Sequence, residues 1–191
     1  DHIVASAIHA LQSDGKVEYL AGGTPIEGEA VRKEIGLLAH SSLCYGELTA
    51  YENLELVGKL YEMPADRTAL DALLDRVGLE PRARDRASRT YSRGMVQRLA
   101  LARALLTKPS LVLLDEPFTG LDDASAVLLV DRLRQLKGTG AIVVMATHDF
   151  DLADGLVDQA FCLNGGRMAT MAADGGSLRE RYRQAVEASA R

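Results

Sequence analysis

The stretch that most constrains this chain is Leu111 to Asp122, Leu-Val-Leu-Leu-Asp-Glu-Pro-Phe-Thr-Gly-Leu-Asp, where an aliphatic run ends in two adjacent carboxylates and a turn. Apolar residues without polar alternation suit a strand buried on both faces of a parallel sheet. Asp115 and Glu116 then fall at its carboxyl end, the edge at which open α/β sheets bind ligands. Pro117 cannot donate to a strand ladder, so the chain turns outward there. Ala141 to Ala146 repeats the pattern, a buried strand followed by Thr147-His148-Asp149.

Other elements follow from periodicity and punctuation. Ile3, Val4, Ala7, Ile8 and Leu11 have helical spacing and predict a helix over Asp1 to Leu11. Val17 to Ala21, ahead of Gly22-Gly23, and Ile35 to Ala39 read as strands. Thr49-Ala-Tyr-Glu52 has capping-box spacing and starts a helix running to about Tyr61; Ala65 to Val77 is a second, closed by Gly78. Ser92 caps a third, with Met95, Leu99, Ala102 and Leu106 as its core stripe. A helix over about Ala124 to Lys137 ends at Gly138. Gln159 to Asn164 and Arg167 to Thr170 flank Gly165-Gly166 as a hairpin. Ser177-Leu-Arg-Glu180 caps a last helix whose Arg179, Arg181 and Arg183 read as a solvated face.

Composition narrows the function. With 27 Asp and Glu against 22 Lys and Arg, nothing marks a nucleic-acid surface. Cys44 and Cys162 fit no metal-ligand spacing and read as buried free thiols in a reducing compartment. The apolar stretches are too short or too interrupted to span a bilayer, so any membrane role comes through a partner.

Taken together in their order, these motifs resemble the ATP-binding-cassette (ABC) ATPases. Leu111 to Glu116 resembles that family's Walker B strand, and Thr119, Gly120, Leu121 and Asp122 its D-loop. Tyr91-Ser-Arg-Gly-Met95 resembles the signature Leu-Ser-Gly-Gly-Gln, with Ser92 and Gly94 on the pattern and Arg93 and Met95 departing from it. His148 matches the switch histidine. His40 to Leu54 resembles the Q-loop and the start of the helical lobe, with His40 or Ser41 at the glutamine position. Serine is an oxygen donor that can serve Mg²⁺, whereas imidazole suits so hard a cation poorly. His40 therefore reads as a partly buried structural histidine.

The resemblance implies an α/β fold, a RecA-like P-loop NTPase core of ABC type, with residues 1–191 as one ATPase domain and a helical subdomain over about 46–106. It implies ATP and Mg²⁺ as cofactors. Asp115 would hold the metal, Glu116 would act as general base, and His148 would steady the γ-phosphate. Ser92, Gly94 and Asp122 would meet nucleotide across a head-to-tail homo- or heterodimer, and Ser41 would bind from the Q-loop. Membrane-spanning subunits are the implied partners, and nucleic acid is not one. The implied location is cytoplasmic, peripheral on the inner face of the membrane.

One family element is missing from the sequence. The phosphate loop Gly-x-x-x-x-Gly-Lys-Ser/Thr has no match, because Gly15-Lys16 and Gly58-Lys59 are followed by Val17 and Leu60 and lack the earlier glycine. The first residues align with the helix after that loop, so the expectation is a chain that starts just past it, without the N-terminal strands. A non-hydrolysing regulatory or scaffold domain completing a partner's ATP site is the rival. Within the family, Leu48 to Leu54 and Tyr91 to Met95 most resemble haem exporters of cytochrome c maturation, which implies export.

Overall fold

In the computed structural model, residues 19–21, 24–26, 28–63, 66–164, 166–173 and 176–189 are described; the helix expected over Asp1 to Leu11 lies outside them. The chain divides into two units, Asp1–Ala146 and Thr147–Arg191.

In the first unit, the aliphatic run becomes the middle of a parallel sheet. Strand β3 (Ile35–Leu38) pairs with β4 (Leu111–Asp115), which pairs with β5 (Ile142–Ala146), both parallel and in the order β3-β4-β5. Leu38 aligns with Leu114, and Asp115 with Ala146, so three strands end together beside the carboxylates. Val112 and Leu114 are fully buried, as a strand covered on both faces requires. The equally apolar β5 is not: Ile142 is 62% exposed and Val143, Val144 and Met145 are half-buried. Among the described residues no strand pairs with the outer edge of β5, an edge that favours association with other chains. A short antiparallel hairpin of β1 (Tyr19–Ala21) and β2 (Thr24–Ile26) precedes helix α1 (Glu29–Glu34), which runs directly into β3.

Between β3 and β4 the chain is helical. Helix α2 (Ala50–Leu60) carries the full capping box, Glu52 N donating to Thr49 Oγ1 at 3.2 Å and Thr49 N to Glu52 Oε2 at 2.8 Å. Helix α3 spans Arg67–Arg76, shorter than expected because Asp66 caps it, accepting from Ala69 N at 2.9 Å. A turn of helix, α4 (Pro81–Arg84), and a 3₁₀ turn (Ser88–Thr90) lead to α5 (Arg93–Leu105). The core stripe of α5 is wider than periodicity suggested: Leu99 to Ala102, Ala104 and Leu105 are buried, while Met95 and Leu106 are half-buried.

One buried cation ties these helices together. Arg84, 3% exposed, donates to Asp71 at 2.8 Å, to Asp75, and to the Leu79 carbonyl oxygen from Nε at 2.9 Å. The Tyr51 hydroxyl also donates to Asp71, and this bond, ahead of Arg84, holds the Asp71 carboxyl below the usual range. A buried guanidinium needs such partners, since unpaired it would bear the full desolvation cost.

Helix α6 (Asp123–Gly138) links β4 to β5. In the second unit, α7 (Phe150–Ala153) precedes the hairpin of β6 (Phe161–Asn164) and β7 (Arg167–Thr170), and α8 (Leu178–Ser189) follows. Ser177 and Glu180 close the predicted capping box. The last helix is not a uniformly solvated cationic face. Arg181 is 9% exposed, and Arg179 pairs with Asp151 at 2.9 Å, its guanidinium 5.6 Å from the Phe150 ring centre. Cys162 is buried and Cys44 half-buried, both as free thiols, and burial raises the Cys44 pKa.

Helix α5 lies tight on the sheet at Gly36. A Cβ there would collide with the Ala104 carbonyl oxygen and stand 2.9 Å from Pro109 Cγ, and backbone cannot yield as a side-chain tip can. Gly36→Ala should therefore destabilise the fold by about 1–3 kcal/mol, read as a lower midpoint in urea unfolding; an unchanged midpoint would mean that α5 is free to move off the sheet.

Candidate functional site

Two sets of predicted residues assemble in the first unit, and both depend on β4. At its end, Glu116 takes φ 48°, left-handed for a residue with a side chain. Its amide still donates to Ala146 O at 2.8 Å, continuing the ladder by one bond before the turn. Strain of this kind, about 1–3 kcal/mol, persists only where the surroundings over-determine it. Here Pro117 and Phe118 are buried behind Glu116, and Thr119 N closes the turn onto Glu116 O at 3.2 Å. The Asp115 and Glu116 side chains are both half-buried at the rim of the sheet.

The second set surrounds the start of α5. Ser92 caps that helix, accepting from Met95 N at 3.3 Å, and the first intrahelical bond runs from Val96 N to Ser92 O at 3.0 Å. The amides of Arg93 and Gly94 precede it and are turned to the positive end of the helix dipole. Ser92 and Gly94 line a cavity of about 460 Å³ with Gly120, Asp122 and three cations, Arg82, Arg93 and Arg98. Asp122 caps α6, accepting from Ser125 N at 2.9 Å. The Ser125 hydroxyl and then its amide, with the Arg98 charge adding, hold the Asp122 carboxyl below the usual range.

The remaining predicted residues come from other segments of the chain. Ser41 and His40 follow β3, whose end lies at the same side of the sheet as Asp115, and both are exposed. His40 is thus not the partly buried histidine the sequence suggested, because the loop after β3 lies at the surface. His148 belongs to the second unit, exposed, just ahead of Asp149, which caps α7 by accepting from Leu152 N at 3.3 Å.

Contacts that motif matching missed tie the two sets together. Gln97 Nε2 donates to Pro117 O at 2.9 Å. Arg98 donates to Gly78 O at 3.3 Å and to Ser125 Oγ at 2.8 Å. The Arg93 guanidinium lies against Gly120, where an added Cβ would collide with its Nε, Cζ and Cδ. The i,i+4 spacing of Arg93 and Gln97 was the signal available in the sequence.

The donor chemistry decides what this site can hold. Carboxylate oxygens at a strand end suit Mg²⁺, which keeps waters and phosphate oxygens in its shell and needs only one or two protein carboxylates. Among the described residues no cluster of three or more His, Cys, Asp and Glu could hold a metal unaided. The α5 cavity, with the Ser92 hydroxyl and the leading amides of a helix start, fits a phosphate, and the carboxylates of Glu80 and Asp122 also line it.

A family model described as ABC transporter matches residues 4–119. The daunorubicin resistance ATP-binding protein DrrA3 of Streptomyces coeruleorubidus is 38% identical over 156 residues, 81% of this chain and 49% of its own length. The Nod factor export ATP-binding protein I of Neorhizobium galegae is 38% identical over 163 residues, 83% of this chain and 46% of its own. The chain thus spans about half the length of the curated relatives it matches. In fold it is similar to an ATP-binding cassette solved as a dimer in a post-hydrolysis state with ADP and Pi, at TM-score 0.73 and 24% identity over 90% of this chain and 81% of that one. The architecture is that of the RecA-like cassette core. No helix among the described residues is long and apolar enough to cross a membrane.

Residues 1–191 contain carboxylates for a metal, and no Gly-Lys-Ser/Thr loop to cradle phosphates occurs among them. Titrated alone, they should bind Mg-ATP weakly, with no saturation at micromolar nucleotide, and should not turn it over. Micromolar affinity by calorimetry would show that another element of this chain replaces the loop.

Proposed function

This chain belongs to the ABC transporter ATP-binding family, and from that premise we propose that it is the ATP-binding and ATP-hydrolysing part of an ABC exporter. The observation that carries the reading is Asp115-Glu116 at the carboxyl end of the central buried strand, with Glu116 held in a strained turn. Residues 1–191 act as one ATPase domain, its helical subdomain over about 46–106. Two such domains pair head to tail, as homo- or heterodimer, and dock on membrane-spanning subunits at the inner face of the membrane.

The roles follow from chemistry. Asp115 would hold Mg²⁺ through water, with the Ser41 hydroxyl as a further oxygen donor; once bound, the cation neutralises phosphate charge and orients the nucleotide for in-line attack. A Glu116 carboxylate oxygen accepts the proton of the attacking water, and the His148 imidazole steadies the γ-phosphate. Ser92 Oγ and the amides of Arg93 and Gly94 face nucleotide held by the partner, and Asp122 flanks that interface.

The relatives named for daunorubicin resistance and Nod factor export support export as the direction of transport. Haem as the substrate is a narrower reading, supported by the wording of Leu48 to Leu54 and Tyr91 to Met95 alone. The scaffold reading, a domain that only completes a partner's site, is favoured by the Q-loop position, where His40 or Ser41 stands in place of glutamine.

Glu116→Gln separates the two. The amide keeps the shape but cannot accept a proton, so turnover in the native assembly should fall about 10²- to 10⁴-fold with ATP binding retained. Turnover matching the unaltered protein would remove Glu116 from catalysis and favour the scaffold reading.

A further inference from the structure

The signature-like segment departs from the family pattern at Arg93, where a glycine would stand. The structure gives that side chain a definite place. Its guanidinium occupies the space beside the bare Cα of Gly120, in the turn between β4 and α6. Gly120 has φ +72°, so a glycine suits the turn on backbone grounds as well. Among the described residues Arg93 makes no ion pair or hydrogen bond; packing against Gly120 is what the structure offers it.

Arg93 is not alone in touching this turn. Gln97, one helical turn on, holds Pro117 O, and Arg98 holds the Ser125 hydroxyl, which bonds in turn to Asp122. Three side chains of α5 thus grip the segment at its beginning, middle and end. Gln97 bonds the first residue of the segment directly, and Arg98 reaches the last through the Ser125 hydroxyl. Arg93 reaches the middle, two residues before Asp122, and a glycine in its place could not.

We propose that Arg93 is a positioning residue that packs on Gly120 and couples the start of α5, with Ser92 and Gly94, to the turn carrying Asp122, so that the conformation of residues 117–122 follows occupancy of the α5 cavity. The catalytic half of this rests on the ATPase reading; the packing half does not. The Arg93 side chain acts through the turn, while its backbone amide stays with Ser92 and Gly94 on the face turned to nucleotide. Its loss therefore lowers the rate at which a bound complex reacts and leaves ground-state nucleotide affinity alone.

The test uses the native assembly and the variants Arg93→Ala, Gly120→Ala and the double change. In the nucleotide-free state, amide hydrogen exchange at Thr119 to Asp122 should rise roughly fivefold in Arg93→Ala, with β4 unchanged. The two single changes should be strongly non-additive, because alanine at position 120 displaces a side chain that the double variant lacks. In turnover assays Arg93→Ala should lower kcat with KM for ATP unchanged. Unchanged exchange at Thr119 to Asp122, or strict additivity, would overturn the coupling. A raised KM at constant kcat would make Arg93 a nucleotide contact and overturn the positioning role. If the unaltered assembly shows no turnover, the ATPase reading fails, while the exchange cycle still decides whether Arg93 holds the turn.

Discussion

The parallel pairing of β4 between β3 and β5 is the constraint on which the site depends. A strand flanked on both sides and covered on both faces has nowhere to place a carboxylate except at its end, and Asp115 is its last residue. Register then does the rest. Asp115 stands opposite Ala146 and Leu114 opposite Leu38, so the three strands end at one rim. The left-handed Glu116 is the cost of turning away from a ladder that still holds its amide. Buried Pro117 and Phe118 offset that cost from behind.

Helix α5 is the second organising element, and its placement follows from small residues. Gly36 admits the Ala104 carbonyl against β3, and this close approach sets the helix across the sheet. The start of α5 then meets the turn after β4, where side chains from positions 93, 97 and 98 engage it. A phosphate-fitting cavity and a carboxylate-bearing strand end are therefore parts of one packed unit. The Arg84 clamp rigidifies the helices on the other side, since its bonds to Asp71, Asp75 and Leu79 O span α3 to α4.

Much of the framework was legible because it is written locally. The apolar runs of β4 and β5 and the caps at Thr49, Ser92 and Ser177 depend on neighbours a few residues away, and each stands where periodicity and capping rules put it. What escaped is long-range. Nothing near Arg84 or Arg181 announces that these cations are buried, and the charge pattern of the last helix pointed the other way. Helix α1 and the turns at Pro81 and Ser88 were too short for periodicity to reveal. At the site, motif order named the residues, but Arg93 lying on Gly120 joins positions 27 apart in the chain, which spacing cannot express.

The central claim is that Glu116 of one protomer and Ser92 of its partner serve the same ATP. A dimer carrying one Glu116→Gln and one Ser92→Arg tests this by where the two changes sit. Placed in opposite protomers they strike a single site, and one of the two sites related by the two-fold axis keeps its turnover, leaving about half the activity. Placed in the same protomer they strike both sites and abolish it. The reverse pattern, with activity surviving only when both changes share a protomer, would contradict the arrangement and place Ser92 and Glu116 at one site of a single chain.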